Sequence, residues 1–419
     1  MQDLRQPLPQ RLAPALVATL LLALPGCGEE FQTPAELSSE PAPPIEAAVT
    51  TLFFRQISAG TAHTCGVTTL NKAYCWGANV IGQLGDGTRV DRSTPTPVAG
   101  GLKFLRVSAG DDHTCGITTS NRAYCWGGNF TGEIGDGQPD VLFRLRPVAV
   151  AGTRSWRHVS AGHDHTCGVT TADIPFCWGS NTEGQGGSDG FFHAAPARVL
   201  GGVLFRQIIA GAYHTCGAST SSKGYCWGAN GNGQLGDGTR IRRNRPKAIA
   251  GGLSFRMVVA GSGLILIPSE QQEQGYSCGI TTTDHAYCWG DGSTGVLGAG
   301  TRNTASGTPV AVLGGHKFRG INLGNFHVCA VTTTDKVYCW GGNSHGQIGD
   351  GNTAFTRWSP VPVFGDFPFK SVTANAYAHH SCAITTSGKA YCWGANGNGQ
   401  LGDGTTVDKY LPVPVAGAM

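Results

Sequence analysis

Residues 63–88 read HTCGVTTLNKAYCWGANVIGQLGDGT: one short alternating segment, a second, then a run of glycines. Cys65 and Cys75 stand ten residues apart, and the second opens a Cys-Trp-Gly triplet. The arrangement returns six times, as Cys115 with Cys125, Cys167 with Cys177, Cys216 with Cys226, Cys278 with Cys288, Cys329 with Cys339, and Cys382 with Cys392. The tryptophans behind the pairs (Trp76, Trp126, Trp178, Trp227, Trp289, Trp340 and Trp393) are separated by 50, 52, 49, 62, 51 and 53 residues. A sustained period in the fifties marks an architecture built by repeating one supersecondary unit.

Each unit carries four short apolar segments. In the first they are Phe54 to Ala59, His63 to Thr68, Lys72 to Trp76 and Pro95 to Val98, punctuated by Gly60, Gly77, the GQLGDGT run and Gly100-Gly101. Period-two alternation with glycine breaks predicts four antiparallel strands per unit. Seven such sheets predict an all-β, seven-bladed β-propeller over residues 53–417, which leaves only short edges. A solenoid is the alternative, but it calls for atypical capping units, and here the first and last units are complete.

The two middle strands form a hairpin whose register can be derived. With Cys65 facing Cys75, Gly66 faces Tyr74 and Val67 faces Ala73, and Gly66 is expected to leave room for the Tyr74 ring. Alternation puts both cysteines on one face and Tyr74 with Trp76 on the other, as filler against the neighbouring blade. Opposed cysteines on antiparallel strands lie about 4.5–5.5 Å apart at Cα, within reach of a disulfide. Each bridge would close a loop of about eleven residues, contributing roughly 2.8 kcal/mol in the chain-entropy model. The competing reading is zinc, with a histidine two residues before most first cysteines, but a single hairpin supplies at most about three of the four ligands required.

Of 419 residues, 64 are glycine and only 14% are charged, which suits short strands and tight turns. A net charge of +3 is too small to imply a nucleic-acid partner. Paired cysteines in this number belong in an oxidising compartment. Arg5 and Arg11 precede an apolar run from Leu12 to Leu24, the length of a signal-peptide core. The run ends Leu24-Pro25-Gly26-Cys27, which is similar to a bacterial lipobox, and Cys27 is the cysteine outside the pairing scheme. Residues 1–26 are therefore read as a lipoprotein signal peptide and Cys27 as a lipid anchor in a bacterial cell envelope. Ordinary cleavage leaving a free thiol is the alternative. Residues 27–52, rich in proline, serine and glutamate, read as a flexible tether.

The unit SAGxxHTCGVTT…AYCWGxNxxGQLGDGT…PVPV resembles the repeat of the regulator of chromosome condensation family, and the resemblance covers 53–417. It implies a seven-bladed propeller. The cysteines depart from cytoplasmic and nuclear members and resemble secreted bacterial versions. Nucleotide exchange on a nuclear GTPase, histone and DNA binding, and light sensing belong to intracellular members and do not transfer with the fold. A secreted bacterial β-lactamase inhibitor protein with this propeller is a nearer analogue. The implication is a binding platform.

A residue present in every blade builds the fold more often than it does chemistry. His63, His113, His165, His214, His327 and His380 recur at one position, with Tyr276 in unit five. No nucleophile or acid–base partner stands beside them, so they are read as hydrogen-bonding ties between strands and not as a catalytic or metal ring. Asp86, Asp136, Asp237, Asp350 and Asp403 sit one to a loop, which suits turn formation better than calcium. No cofactor or metal motif is present.

Departures from the repeat carry more information. Unit five inserts twelve residues after Gly261, including Leu264, Ile265, Leu266 and Ile267, and unit seven inserts two after Asn375. The segments before the fourth strands vary, offering Phe143, Phe191, Phe192, Arg240, Arg242, Arg243, Arg245, Phe355 and Trp358. Aromatics and arginines are enriched at interfaces. In a meander these connections emerge on one face with the unit-five insertion, which either packs on the ring or meets a partner. The expectation is a monomeric, non-enzymatic envelope protein binding a protein or other envelope macromolecule there. The alternatives are a polysaccharide- or peptide-acting hydrolase or lyase with a site at the mouth of the central channel, and a purely structural lipoprotein.

Overall fold

The computed structural model of the protein describes residues 51–267, 270–302 and 305–417. Cys27, the leader and nearly all of the tether lie outside them. The described residues form seven four-stranded antiparallel sheets, and each sheet uses consecutive strands of one repeat. Blade 1 consists of β1 (Phe54–Ala59), β2 (His63–Thr68), β3 (Ala73–Gly77) and β4 (Arg92–Pro97). The first strand of each unit is innermost, since residues 55–58, 105–108 and 370–373 line the central cavity. Connections between first and second and between third and fourth strands share one face, here the loop face. The hairpin turns and interblade links form the opposite turn face.

The expected register holds. Cys65 pairs with Cys75, Gly66 with Tyr74 and Val67 with Ala73. All seven expected disulfides are formed, each inside one hairpin. They join Cys65 to Cys75, Cys115 to Cys125, Cys167 to Cys177 and Cys216 to Cys226. The remaining three join Cys278 to Cys288, Cys329 to Cys339 and Cys382 to Cys392. Their Cα–Cα distances run from 4.0 to 4.2 Å, tighter than the separation expected of an unbridged pair. With every paired sulfur in a bridge, none of these cysteines is left as a thiolate for zinc.

Two details of the hairpin differ from expectation. The fourth strand begins earlier than its apolar core, because Gly77 pairs with Arg92 across a bulge. The reason for Gly66 is also different. A Cβ there would come within 2.6 Å of the Phe54 ring, so the space is kept for the aromatic that opens β1, not for Tyr74.

Blades pack face to face through alternating layers. The Cys65–Cys75 bridge, Val67 and Ala73 meet Phe104, Val107 and Trp126 of blade 2. Trp76 and Phe54 meet Ile384, Leu401 and Val415 of blade 7. The second glycine of each GQLG-type loop has a positive φ and lies against the next tryptophan: a Cβ on Gly402 (φ +70) would stand 2.6 Å from the Trp76 ring.

The ring closes by abutment of whole blades. All four strands of the last sheet come from the last repeat, so no strand is exchanged at the seam. There Phe54 N–H donates to Gly388 O at 2.8 Å, and Leu52 N–H donates to Gly417 O. The inner edges are also satisfied across blades: Ser58 Oγ accepts from Ala109 N at 3.0 Å, and Ser108 Oγ from Ala161 N at 3.0 Å.

Candidate functional site

The recurring histidines are interblade ties. His63 Nε2 lies 2.8 Å from Thr114 Oγ1 of blade 2, and His113 Nε2 lies 2.7 Å from Thr166 Oγ1 of blade 3. Each hydroxyl donates onward to the carbonyl of the preceding blade's loop, as Thr114 does to Gln83 O at 2.9 Å. A hydroxyl has one proton, so Nε2 must be the imidazole donor and Nδ1 is left bare. Nδ1 of His63, His165 and His380 indeed has no partner. Burial, then a neighbouring histidine, pushes His63 and His113 down to about 3. Neutral imidazoles locked in this way hold blades together and are out of reach of solvent.

The loop aspartates organise turns. Asp86 Oδ1 accepts from Thr88 N at 2.8 Å and Thr88 Oγ1 at 2.7 Å, with Arg92 as its cation. Asn79 clamps the same loop, accepting from Leu84 N at 3.0 Å and donating to Val90 O at 3.2 Å. Blade 5 has Gly292 where the others have this asparagine.

These clamps leave the loop tips facing solvent. Exposed large apolar side chains concentrate there, with Phe130 55%, Phe191 78%, Phe192 59%, Ile241 61% and Phe355 77% accessible. Phe191 and Arg242, far apart in sequence, line one groove between blades 3 and 4, floored by Thr182 and Gly184. Arg242 reaches Thr182 O at 3.1 Å and Glu183 at 3.6 Å, while Arg245 lies 3.7 Å from Asp189. Arg240 donates to Gly231 O at 3.2 Å. Arg243 is committed differently: it pairs at 2.9 Å with Asp237, whose side chain is fully buried, and so holds its own loop. Phe143 is half-buried under Arg89, 4.9 Å from its ring centroid. Trp358 is half-buried in the fourth strand of blade 6.

The unit-five insertion is not an irregular loop. It prolongs the two inner strands into a hairpin, Phe255–Ile267 against Glu270–Thr281, with Leu264 opposite Glu273 and Leu266 opposite Gln271. The side chains of Leu264, Ile265, Leu266 and Ile267 lie outside the described residues.

Closer to the axis, the loop face holds a cluster whose signal in the sequence is the acidic first connection of units two and three, GDDH and GHDH. His163 contacts Asp111 at 3.2 Å and also hydrogen-bonds Asp164. Burial alone would lower its pKa, but the Asp164 hydrogen bond and the surrounding carboxylates raise it to about 9. Burial and the charge of Asp111 raise Asp112 to about 6. The buried Tyr377, from the longer blade-7 loop, meets the His163 ring across the axis at 4.8 Å. Asn375 of that loop donates to Ala109 O of blade 2 at 2.8 Å. The two extra residues of unit seven thus cap the channel on this face. An imidazolium held by carboxylates is no base at neutral pH.

The family model for the regulator of chromosome condensation (RCC1) repeat matches residues 71–117, 120–169, 224–267, 334–384 and 387–419, more than half of the chain. A second model of the same repeat matches 54–83, 104–133, 156–185, 318–347 and 370–400. The chain is 33% identical over 130 residues to the human probable E3 ubiquitin-protein ligase HERC6, covering 30% of this chain and 12% of that protein. It is 38% identical over 86 residues to the ultraviolet-B receptor UVR8 of Arabidopsis thaliana, covering 20% and 19%. It therefore spans under a fifth of the length of these relatives. Among solved structures, human WBSCR16 aligns with a TM-score of 0.71 at 18% identity, covering 82% of this chain and 93% of that one. Yeast RCC1 (Prp20), bound to Kap60, aligns at 0.70 and 17%, covering 93% and 91%. At such identities the likeness is one of fold. The chain belongs to the regulator of chromosome condensation (RCC1) repeat family.

Proposed function

We propose that this protein is a non-enzymatic interaction platform that holds a protein partner on the loop face of its propeller. The observation that carries the reading is the groove between blades 3 and 4, lined by exposed Phe191 and Arg242, with Phe192 next in the chain and Arg245 lying 3.7 Å from Asp189 of its wall. Large apolar side chains at loop tips have no role within the ring, and an aromatic beside arginines is the composition of an interface hot spot. The RCC1 fold serves protein partners elsewhere: the yeast protein was solved with Kap60, and its binding to Gsp1p and histones is described.

The hairpin of blade 5 adds a second contact. Its tip carries Leu264 to Ile267 opposite a glutamine- and glutamate-rich strand. We read residues 1–26 as an export signal and Cys27 as a lipidated anchor, with residues 28–52 tethering the ring to a bacterial envelope membrane. The seven disulfides support an oxidising compartment. Affinity purification from native envelope, comparing wild type with a deletion of residues 264–274 and with Phe191→Asp, tests the platform. A partner captured by the wild type and lost in both variants is expected. Equal capture by all three would overturn the reading.

A further inference from the structure

The inner strands share a basic residue near their start: Arg55, Arg157, Arg206, Arg256, Arg319 and Lys370 each follow the aromatic that opens the strand, and blade 2 has Arg106 one position later. The aromatics are buried between blades, which sets the cations around the channel mouth on the turn face. Three have counter-ions. Arg157 lies 2.5 Å from Asp173 and Arg256 lies 3.0 Å from Asp284, while Arg319 pairs with Asp335. These aspartates occupy the left-handed position of the hairpin turn, at φ 65, 68 and 66°. Blades 1, 2, 4 and 7 place Asn71, Asn121, Ser222 and Gly388 there. Arg55, Arg106, Arg206 and Lys370 have no carboxylate partner among the described residues.

Three of those four, on the consecutive blades 7, 1 and 2, line one open cavity of about 610 Å³ with no acidic residue in its wall. The volume is in the range of small-molecule sites. Arg55 is anchored by donating to Phe104 O at 3.0 Å, whereas the side chains of Arg106 and Lys370 donate no hydrogen bond among the described residues. His158 also lines the cavity, and its buried Nδ1 has no partner. Partial burial, then the charges of Arg55 and Arg157, holds the Arg106 guanidinium below its ordinary value. Toward the loop face the channel narrows to about 80 Å³ between small side chains and ends at the blade-7 loop. The cavity is a blind pit with a basic rim.

We propose that this pit binds a compact ligand carrying two or more phosphate groups, gripped by Arg55, Arg106 and Lys370. Like charges gathered without counter-ions repel one another, and a multivalent anion relieves that repulsion while forming charge-assisted hydrogen bonds. Such a ligand could come free in solution or as the headgroup of an anionic lipid.

Titration calorimetry of the oxidised full-length protein with inorganic tripolyphosphate tests this, beside sedimentation with vesicles containing cardiolipin, whose headgroup carries two phosphates. Saturable 1:1 binding to tripolyphosphate that weakens at high salt is expected, with a loss of about tenfold or more when Arg106→Gln is combined with Lys370→Gln. That variant removes no hydrogen bond within the ring, so its melting should match the wild type. Binding to vesicles alone, with the same sensitivity, would support the site with a lipid headgroup as the source. No saturable binding to either probe overturns the proposal. So does an equal loss in Arg198→Gln, a cation on the outer strand of blade 3.

Discussion

His380 Nε2 lies 2.7 Å from the Thr64 hydroxyl, a contact between the last blade and the first. Thr64 in turn donates to Gln400 O at 2.8 Å, and Trp76 Nε1 donates to the same oxygen at 3.0 Å. The tie that joins neighbouring blades elsewhere therefore also closes the ring between residues 316 apart in sequence.

Removing the Thr64 hydroxyl while keeping its shape should loosen that seam. Thr64→Val strands the buried His380 donor, at a cost of about 1–3 kcal/mol. Urea unfolding read by tryptophan fluorescence checks it. Unchanged stability would mean that this tie contributes nothing to the seam. Deleting residues 410–419, which removes most of the Lys409–Pro414 strand and buried Val415, should lower the melting temperature far more.

The six buried histidines make the ring acid-labile. Each is held near pKa 3 by burial, against an ordinary value of 6.5. Above pH 6.5 neither state is protonated and stability is complete. As pH falls from 6.5 toward 3, only the unfolded chain takes up protons, so stability falls by about 1.4 kcal/mol per pH unit for each histidine. Unfolding free energies at pH 7.5, 6 and 5 should decline steeply. A flat profile would contradict the assignment of neutral, locked imidazoles.

His163 carries the opposite sign. Its folded pKa of about 9 exceeds the ordinary 6.5, so its contribution is complete below 6.5 and fades as pH rises through 9. His163→Gln should reduce stability at pH 7 and flatten the decline between pH 7 and 10. An imidazole that titrates near 6.5 by NMR would count against this.

The arginines of blade 4 divide into two roles. Arg243→Ala should destabilise the fold by about 1–3 kcal/mol, because it leaves the Asp237 carboxylate, still bonded to Thr239, without its cation. Arg242→Ala with Arg245→Ala should leave melting unchanged and slow association with the partner, less so at high salt. Leu266→Asp should speed dissociation without altering melting; if it unfolds the protein instead, the hairpin tip is part of the ring.

Mass spectrometry of the mature N-terminal peptide should find a diacyl or triacyl modification on Cys27 and no residues before it. Cys27→Ser should then release the protein from membranes. A variant that still sediments with them removes the anchor from the account.

Much of the fold was legible because the same letters recur in seven places. Even the partner of the histidine leaves a trace: where unit five has Tyr276 instead of histidine, unit six has Val328 instead of threonine or serine. Tyr276 bonds instead to Gly324 O at 2.6 Å and His327 O at 2.9 Å. The shared groove of Phe191 and Arg242 was not legible, since it depends on how two adjacent blades are rotated. The role of Arg243 was hidden because the loop arginines look alike in sequence and differ only in reach to Asp237. The basic rim was present as FR, WR and FK pairs but lacked meaning until the first strand proved innermost. Tyr377 over His163 joins blades 7 and 3, a contact across the axis that no local pattern encodes.

Because every blade is one uninterrupted repeat and every disulfide lies inside one hairpin, the chain can be read as a series of units that mature one at a time as they are made. A hairpin such as His63–Thr68 with Ala73–Gly77 can oxidise as soon as its second strand emerges, without waiting for the next. Mispairing is disfavoured because each cysteine's partner is always the nearest to arrive. Only the joining of blade 7 to blade 1 spans the whole sequence, so the slow, concentration-sensitive hazard is confined to a single event. A chain arrested before it would display two open blade faces, each suited to the other and to the matching face of another chain.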